Sequence, residues 1–111
     1  MENGLKQQEL ESIRHIFSSF PEVEKAILYG SRAKGTYRPN SDIDISLKGT
    51  ELTLKIINQI SWQLDDLLLP YTFDLSNFNH IHNSALIDHI ERIGKVIYER
   101  SVPKITIDLP Y

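Results

Sequence analysis

Ala26-Ile27-Leu28-Tyr29-Gly30-Ser31-Arg32-Ala33-Lys34-Gly35, the segment Thr36 to Ser41, and Asp42-Ile43-Asp44-Ile45-Ser46-Leu47 make up the stretch from which the fold can be read. The short apolar run from Val23 to Tyr29 predicts a strand that stops at Gly30. Ser31 to Gly35 is long enough for one helical turn. Thr36 to Ser41 ends on Pro39-Asn40-Ser41, a turn signal. From Asp42 to Leu47 polar and apolar residues alternate with period two, which predicts a second strand.

Working outward, Leu10, Ile13, Phe17 and Phe20 recur near helical spacing, so a helix is expected from about Leu5 to Phe20, ended by Pro21. Thr50 has the chemistry of an N-cap for a helix from about Glu51 to Leu69, closed by Pro70. Tyr71 to Ser76 alternates again and predicts a strand. A helix from about Asn83 to Ile93, with Gly94 past its end, and a short strand from Lys95 to Glu99 complete the pattern. Alternating helices and strands define an α/β or α+β fold around a small mixed sheet, whose strand order the sequence leaves open.

The alternation decides where the charges go. Residues i and i+2 of a strand share a face, so Asp42 and Asp44 point together, with Cβ atoms roughly 7 Å apart. Ile43 and Ile45 point into a core. In the strand of Asp74, Tyr71, Phe73 and Leu75 take the core side, while Thr72, Asp74 and Ser76 face outward. Were the two strands neighbours, Asp74 would be a third carboxylate beside the pair. Oxygen ligands so grouped suit hard divalent cations, one carboxylate bridging two ions. Aspartate is disfavoured in strands, so two in one short strand call for a reason other than folding.

Upstream, Gly30 permits a tight turn and a close backbone approach to a ligand. Ser31 offers a hydroxyl at the start of a helical turn, whose free N–H groups attract phosphate. Arg32, Lys34 and Arg38 add positive charge beside it. The sequence contains neither Gly-x-x-x-x-Gly-Lys-[Ser/Thr] nor Gly-x-Gly-x-x-Gly, which excludes a P-loop or dinucleotide fingerprint.

The 111 residues, 41% of them apolar, suffice for one core, so a single domain over 1–100 and a tail over 101–111 are expected. A net charge of −3 argues against nucleic acid as the main ligand, since such binders neutralise phosphates with many Lys and Arg. There is no cysteine, hence no disulfide or thiolate chemistry. Met1 to Lys6 opens no apolar signal region, and no apolar run approaches the ~20 residues that span a bilayer, so a cytoplasmic protein without a membrane anchor is expected.

Gly30-Ser31, ten residues, then Asp42-x-Asp44 resembles the signature of the polymerase β-like nucleotidyltransferase superfamily. It is most similar to the minimal nucleotidyltransferase (MNT) branch, with its Gly-Ser-Arg-Ala-Arg-Gly and Ser-Asp-Ile-Asp. Lys34 stands where Arg is common. The resemblance implies a nucleotidyltransferase fold, two Mg2+ ions and a nucleoside triphosphate substrate, usually ATP. Carried over by position, Asp42, Asp44 and Asp74 are the metal-binding and catalytic residues, with Asp74 helping to deprotonate the attacking hydroxyl. Gly30, Ser31, Arg32, Lys34 and Ser41 are the nucleotide-binding residues. The implied reaction is in-line attack on the α-phosphate with release of pyrophosphate. MNT proteins are often encoded beside a HEPN-domain protein, and some act as antitoxins that adenylylate a tyrosine of that toxin. A HEPN-domain partner is implied on that ground. The alternative is an antitoxin or regulatory subunit that neutralises its partner by contact, without catalysis.

On a helical wheel of 51–69, Ile56, Ile57, Ile60, Leu64, Leu67 and Leu68 make the core face. Trp62 and Leu69 fall away from it and form a candidate partner interface. The tail alternates Ile105, Ile107 and Leu109 with polar residues and suits an edge strand, within the chain or across a homodimer, or a docking segment in a hetero-oligomer. His80 and His82 are expected on a surface turn.

Overall fold

The structure, a computed structural model, describes residues 3–101. The tail expected to pair at an edge lies almost wholly outside these residues. Helix α1 spans Gln7–Ser18, β1 Lys25–Tyr29, α2 Ser31–Lys34, β2 Ile43–Lys48 and α3 Leu54–Asp65. They are followed by β3 Phe73–Asn77, a single 3-10 turn Phe78–His80, α4 Ser84–Ile93 and β4 Lys95–Glu99.

The four strands form one sheet in the order β3-β2-β1-β4. β1 is antiparallel to β2 and to β4, whereas β2 and β3 run parallel. A parallel pair needs a crossover, and α3 supplies it. The sheet is therefore mixed, as expected.

The odd residues of β2 decide its orientation. Ile43, Ile45 and Leu47 are fully buried with Ala26 and Leu28 of β1, under Leu10, Ile13, Ile16 and Phe17 of α1 and Ile57, Ile60 and Leu64 of α3. Each large side chain removed from water stabilises the fold by about 1.5–3 kcal/mol. That packing locks the register of β2, because a slip of one residue would turn three aliphatic side chains out and Asp44 in. The opposite face carries a smaller cluster, Ile27, Tyr29 and Ile90, covered by α4 with Phe78, Ile81 and Leu86.

Two boundaries differ from expectation. The N-cap of α3 is Thr53, whose Oγ1 accepts from Ile56 N–H at 3.2 Å. Thr50 instead bonds the Glu24 carboxylate through its N–H and hydroxyl. At its other end α3 stops at Asp65, where Leu67 and Leu68 N–H bond to the carbonyls of Leu64 and Asp65 in a tightened turn. Leu68 then adopts a left-handed φ of 56°. The wheel therefore fails beyond Asp65. Leu68, expected in the core, is 88% exposed, while Leu69, expected outside, packs against the core with Leu67.

Candidate active site

The C-terminal end of β1 and the N-terminal ends of β2 and β3 meet at one end of the sheet. Tyr29 pairs with Asp44, and Asp44 pairs with Asp74, in an unbroken row across three strands. Neighbouring strands lie about 4.8 Å apart, so the two aspartates stand side by side on one face. Asp42 lies just before the first residue of β2, exposed and two positions from Asp44. Behind this row Ser76 Oγ donates to Ser46 Oγ at 3.1 Å.

The row is electrostatically loaded. Burial pushes the Asp44 carboxyl above the ordinary carboxylate range, the charges of Asp74 and then Asp42 push it further, and the His89 ring draws it back. Burial likewise raises the Tyr29 hydroxyl, with Asp44 and Asp74 adding to the effect and the Ser76 hydrogen bond opposing it. A cation nearby would favour the charged form of Asp44. Among the described residues no three His, Asp or Glu side chains are gathered closely enough to form a ready metal cage. The acids are aligned and strained by mutual repulsion, not preassembled. As an all-oxygen donor set on one rigid face they fit a hard divalent cation, which would offset that repulsion.

Gly30 closes β1 with φ +74°, and a Cβ there would collide with the Asp44 carboxylate. Only glycine lets the backbone pass so close to the acid. Ser31 starts the one-turn α2, in which Lys34 N–H bonds the Gly30 carbonyl at 3.1 Å and Gly35 caps the end with φ +83°. The N–H groups that open a helical turn have no partner inside it, and this turn begins directly after Gly30, which abuts the Asp44 carboxylate.

Arg32 departs from expectation. It is 1% exposed, the largest fully buried side chain among the described residues. Its guanidinium donates to the carbonyls of Asn3 (2.9 Å), Pro39 (3.3 Å) and Ser41 (3.0 Å from Nη2, 3.2 Å from Nε). It also stacks over the rings of Tyr71 and Tyr37. A planar five-donor fork suits this bundle of carbonyls. Arg32 is thus committed to holding the loop in place and is not available to a phosphate. Ser41 also serves the loop, since its Oγ accepts from Arg38 N–H at 2.8 Å and so folds the 38–41 turn leading to Asp42. Lys34 and Arg38 are exposed beside the turn. Trp62 is 66% exposed and, with Leu54, Lys55, Asn58 and Gln59, lines a pocket of about 360 Å3 on the outer face of α3. Leu69 is no part of it, because the chain has already turned inward. His80 and His82 are both exposed.

Sequence reasoning missed Tyr29 and His89. Tyr29 was legible as the strand residue directly before Gly30, but its pairing with Asp44 depends on the strand order. His89 was not legible, since only tertiary folding brings α4 over the Gly30 turn.

A mixed sheet with an acidic row beside a Gly-Ser turn defines a nucleotidyltransferase-type α/β fold. The sequence model described as Polymerase beta, Nucleotidyltransferase matches residues 11–102, and the chain belongs to that family. No curated protein sequence matches it. Among solved structures, the fold is similar to a toxin–antitoxin complex with AMP-PNP, at 22% identity and a TM-score of 0.66 over 86% of this chain and 75% of that one. The MntA–HepT toxin–antitoxin gives 20% identity and a TM-score of 0.65 over 86% and 74%. The tri-AMPylated Shewanella oneidensis HEPN toxin in complex with MNT antitoxin gives 18% and 0.64 over the same shares. The fold thus resembles that of MNT antitoxins. No helix among the described residues is long and apolar enough to cross a membrane.

Proposed function

We propose that this chain is a Mg2+-dependent nucleotidyltransferase that moves AMP from ATP to a hydroxyl, the acceptor being a tyrosine of a HEPN-domain toxin that it neutralises as antitoxin. The observation that carries this reading is the register of Asp44 against Asp74, with the Gly30-Ser31 turn lying on Asp44. Asp42, Asp44 and Asp74 would hold two Mg2+ ions. When bound, these ions neutralise the triphosphate and polarise the α-phosphorus for attack. Ser31 and the N–H groups opening α2 orient the β- and γ-phosphates, and exposed Lys34 and Arg38 add positive charge at the rim. Asp74, exposed at the start of β3, accepts the proton of the incoming hydroxyl. The oxygen so freed attacks in line, a P–O bond to the acceptor forms, the bond to the β-phosphate bridge breaks, and pyrophosphate leaves.

ATP labelled at the α-phosphate, Mg2+ and the HEPN-domain product of the neighbouring gene make the test. Label on a tyrosine of the partner, lost in Asp42→Ala/Asp44→Ala, is the expected result. Neutralisation of the toxin by that double variant, with no label in the parent, overturns the reading. Such an outcome would favour the contact-only alternative, for which the exposed Trp62 face is the supporting feature.

A further inference from the structure

Helix α4 contributes one polar side chain to the site end of the sheet. His89 is half-buried, and its ring lies T-shaped to that of Tyr29, with 6.1 Å between centroids. Its Nε2 accepts the Gly30 N–H at 3.1 Å, a contact between residues 59 apart in sequence. Gly30 is the residue whose positive φ turns the chain from β1 into the α2 turn, and whose missing Cβ leaves room for the Asp44 carboxylate. The imidazole therefore grips the peptide on which the approach of loop to acid depends. Because the Gly30 N–H is already engaged, the amides offered to a phosphate begin at Ser31. The tilt of the 29–30 peptide, and with it the aim of Ser31, is also referenced to α4 and not only to β1.

We infer that His89 is a positioning residue, resting on the nucleotidyltransferase reading above: by accepting the Gly30 N–H it sets the Gly-Ser turn at the orientation in which Ser31 and the following amides meet the triphosphate. His89 touches neither phosphate nor acceptor in this role. It acts through the turn, as one jaw of a clamp whose other jaw is the Tyr29–Asp44 strand pairing. A misaimed turn costs rate steeply, because transfer requires the α-phosphorus, the acids and the acceptor to be in line.

The test compares His89→Gln, whose Oε1 reaches the place of Nε2, with His89→Asn, whose oxygen falls short of it, in the full chain. Two readouts are taken: hydrogen exchange at the Gly30 amide, and kcat and KM for ATP in the labelled-transfer assay. Expected is faster Gly30 exchange in His89→Asn than in the parent, with kcat/KM for ATP down on the order of tenfold. His89→Gln should restore both, at a melting temperature close to that of His89→Asn. Equal exchange and equal kcat/KM in the two variants overturn the inference, as does unchanged Gly30 exchange in His89→Asn. If the parent moves no label at all, the proposed function falls, while the exchange arm still decides whether His89 holds the turn.

Discussion

Replacing Asp44 by Asn tests the electrostatics of the row and its chemistry at once. The substitution keeps size and shape but removes the charge that burial, Asp74 and Asp42 all disfavour. Two unit charges at ~5 Å repel by roughly 3 kcal/mol at an effective dielectric near 20. Asp74 is exposed and Asp44 only half-buried, so solvent screening reduces this to about 1 kcal/mol. A domain of this size gains about 4 °C in Tm per kcal/mol. In chelator the variant should therefore melt a few degrees above the parent, and Mg2+ should raise the parent while leaving Asp44→Asn nearly unmoved. Transfer activity should be lost. The pH dependence carries a definite sign. A carboxyl whose folded pKa is raised contributes its stability below the unfolded value and loses it as pH rises through the folded one. The parent's deficit relative to Asp44→Asn should thus open as pH climbs past about 3.9, the ordinary aspartate value, and level off above the folded pKa of Asp44. Thermal melts across pH, with and without Mg2+, measure this. A variant melting below its parent in chelator at neutral pH would refute the crowding of the acids.

Gly30→Ala forces a Cβ into the Asp44 carboxylate at a positive φ, so a loss of about 1–3 kcal/mol in denaturant melts is expected, with transfer abolished. Arg32→Lys leaves a single ammonium to serve the carbonyls of Asn3, Pro39 and Ser41 and gives up both ring stacks, so stability should fall by about 2–3 kcal/mol, roughly 10 °C in Tm. Trp62→Ala removes an exposed ring, so stability should change by less than about 0.5 kcal/mol. Its affinity for the proposed HEPN-domain partner, measured by calorimetry, should drop by about tenfold or more.

Much of the architecture was legible because its signals are local. The alternation through Ile43, Ile45 and Leu47 faces the core as read, and the four strands and the helices α1 and α4 lie where periodicity put them. Strand order was not legible, since nothing within β2 or β3 names its neighbour. The register of Asp44 with Asp74 exists only once α3 has carried the chain across. The end of α3 was misjudged because a wheel assumes helix throughout, and the left-handed Leu68 reverses which leucine is buried. Arg32 was misjudged for a different reason. A cation beside a Gly-Ser turn reads as a phosphate ligand, whereas its partners are carbonyls from two separate segments, residue 3 and the turn that holds Pro39 and Ser41.

The bond from Arg32 to the Asn3 carbonyl stitches the first described residues to the loop that ends in Asp42. The family match begins only at residue 11, so a version trimmed to that span would remove an anchor of the loop while leaving Asp42, Asp44 and Asp74 in place. For this chain, a change at residue 3 is therefore also a change to the geometry of the loop that presents Asp42.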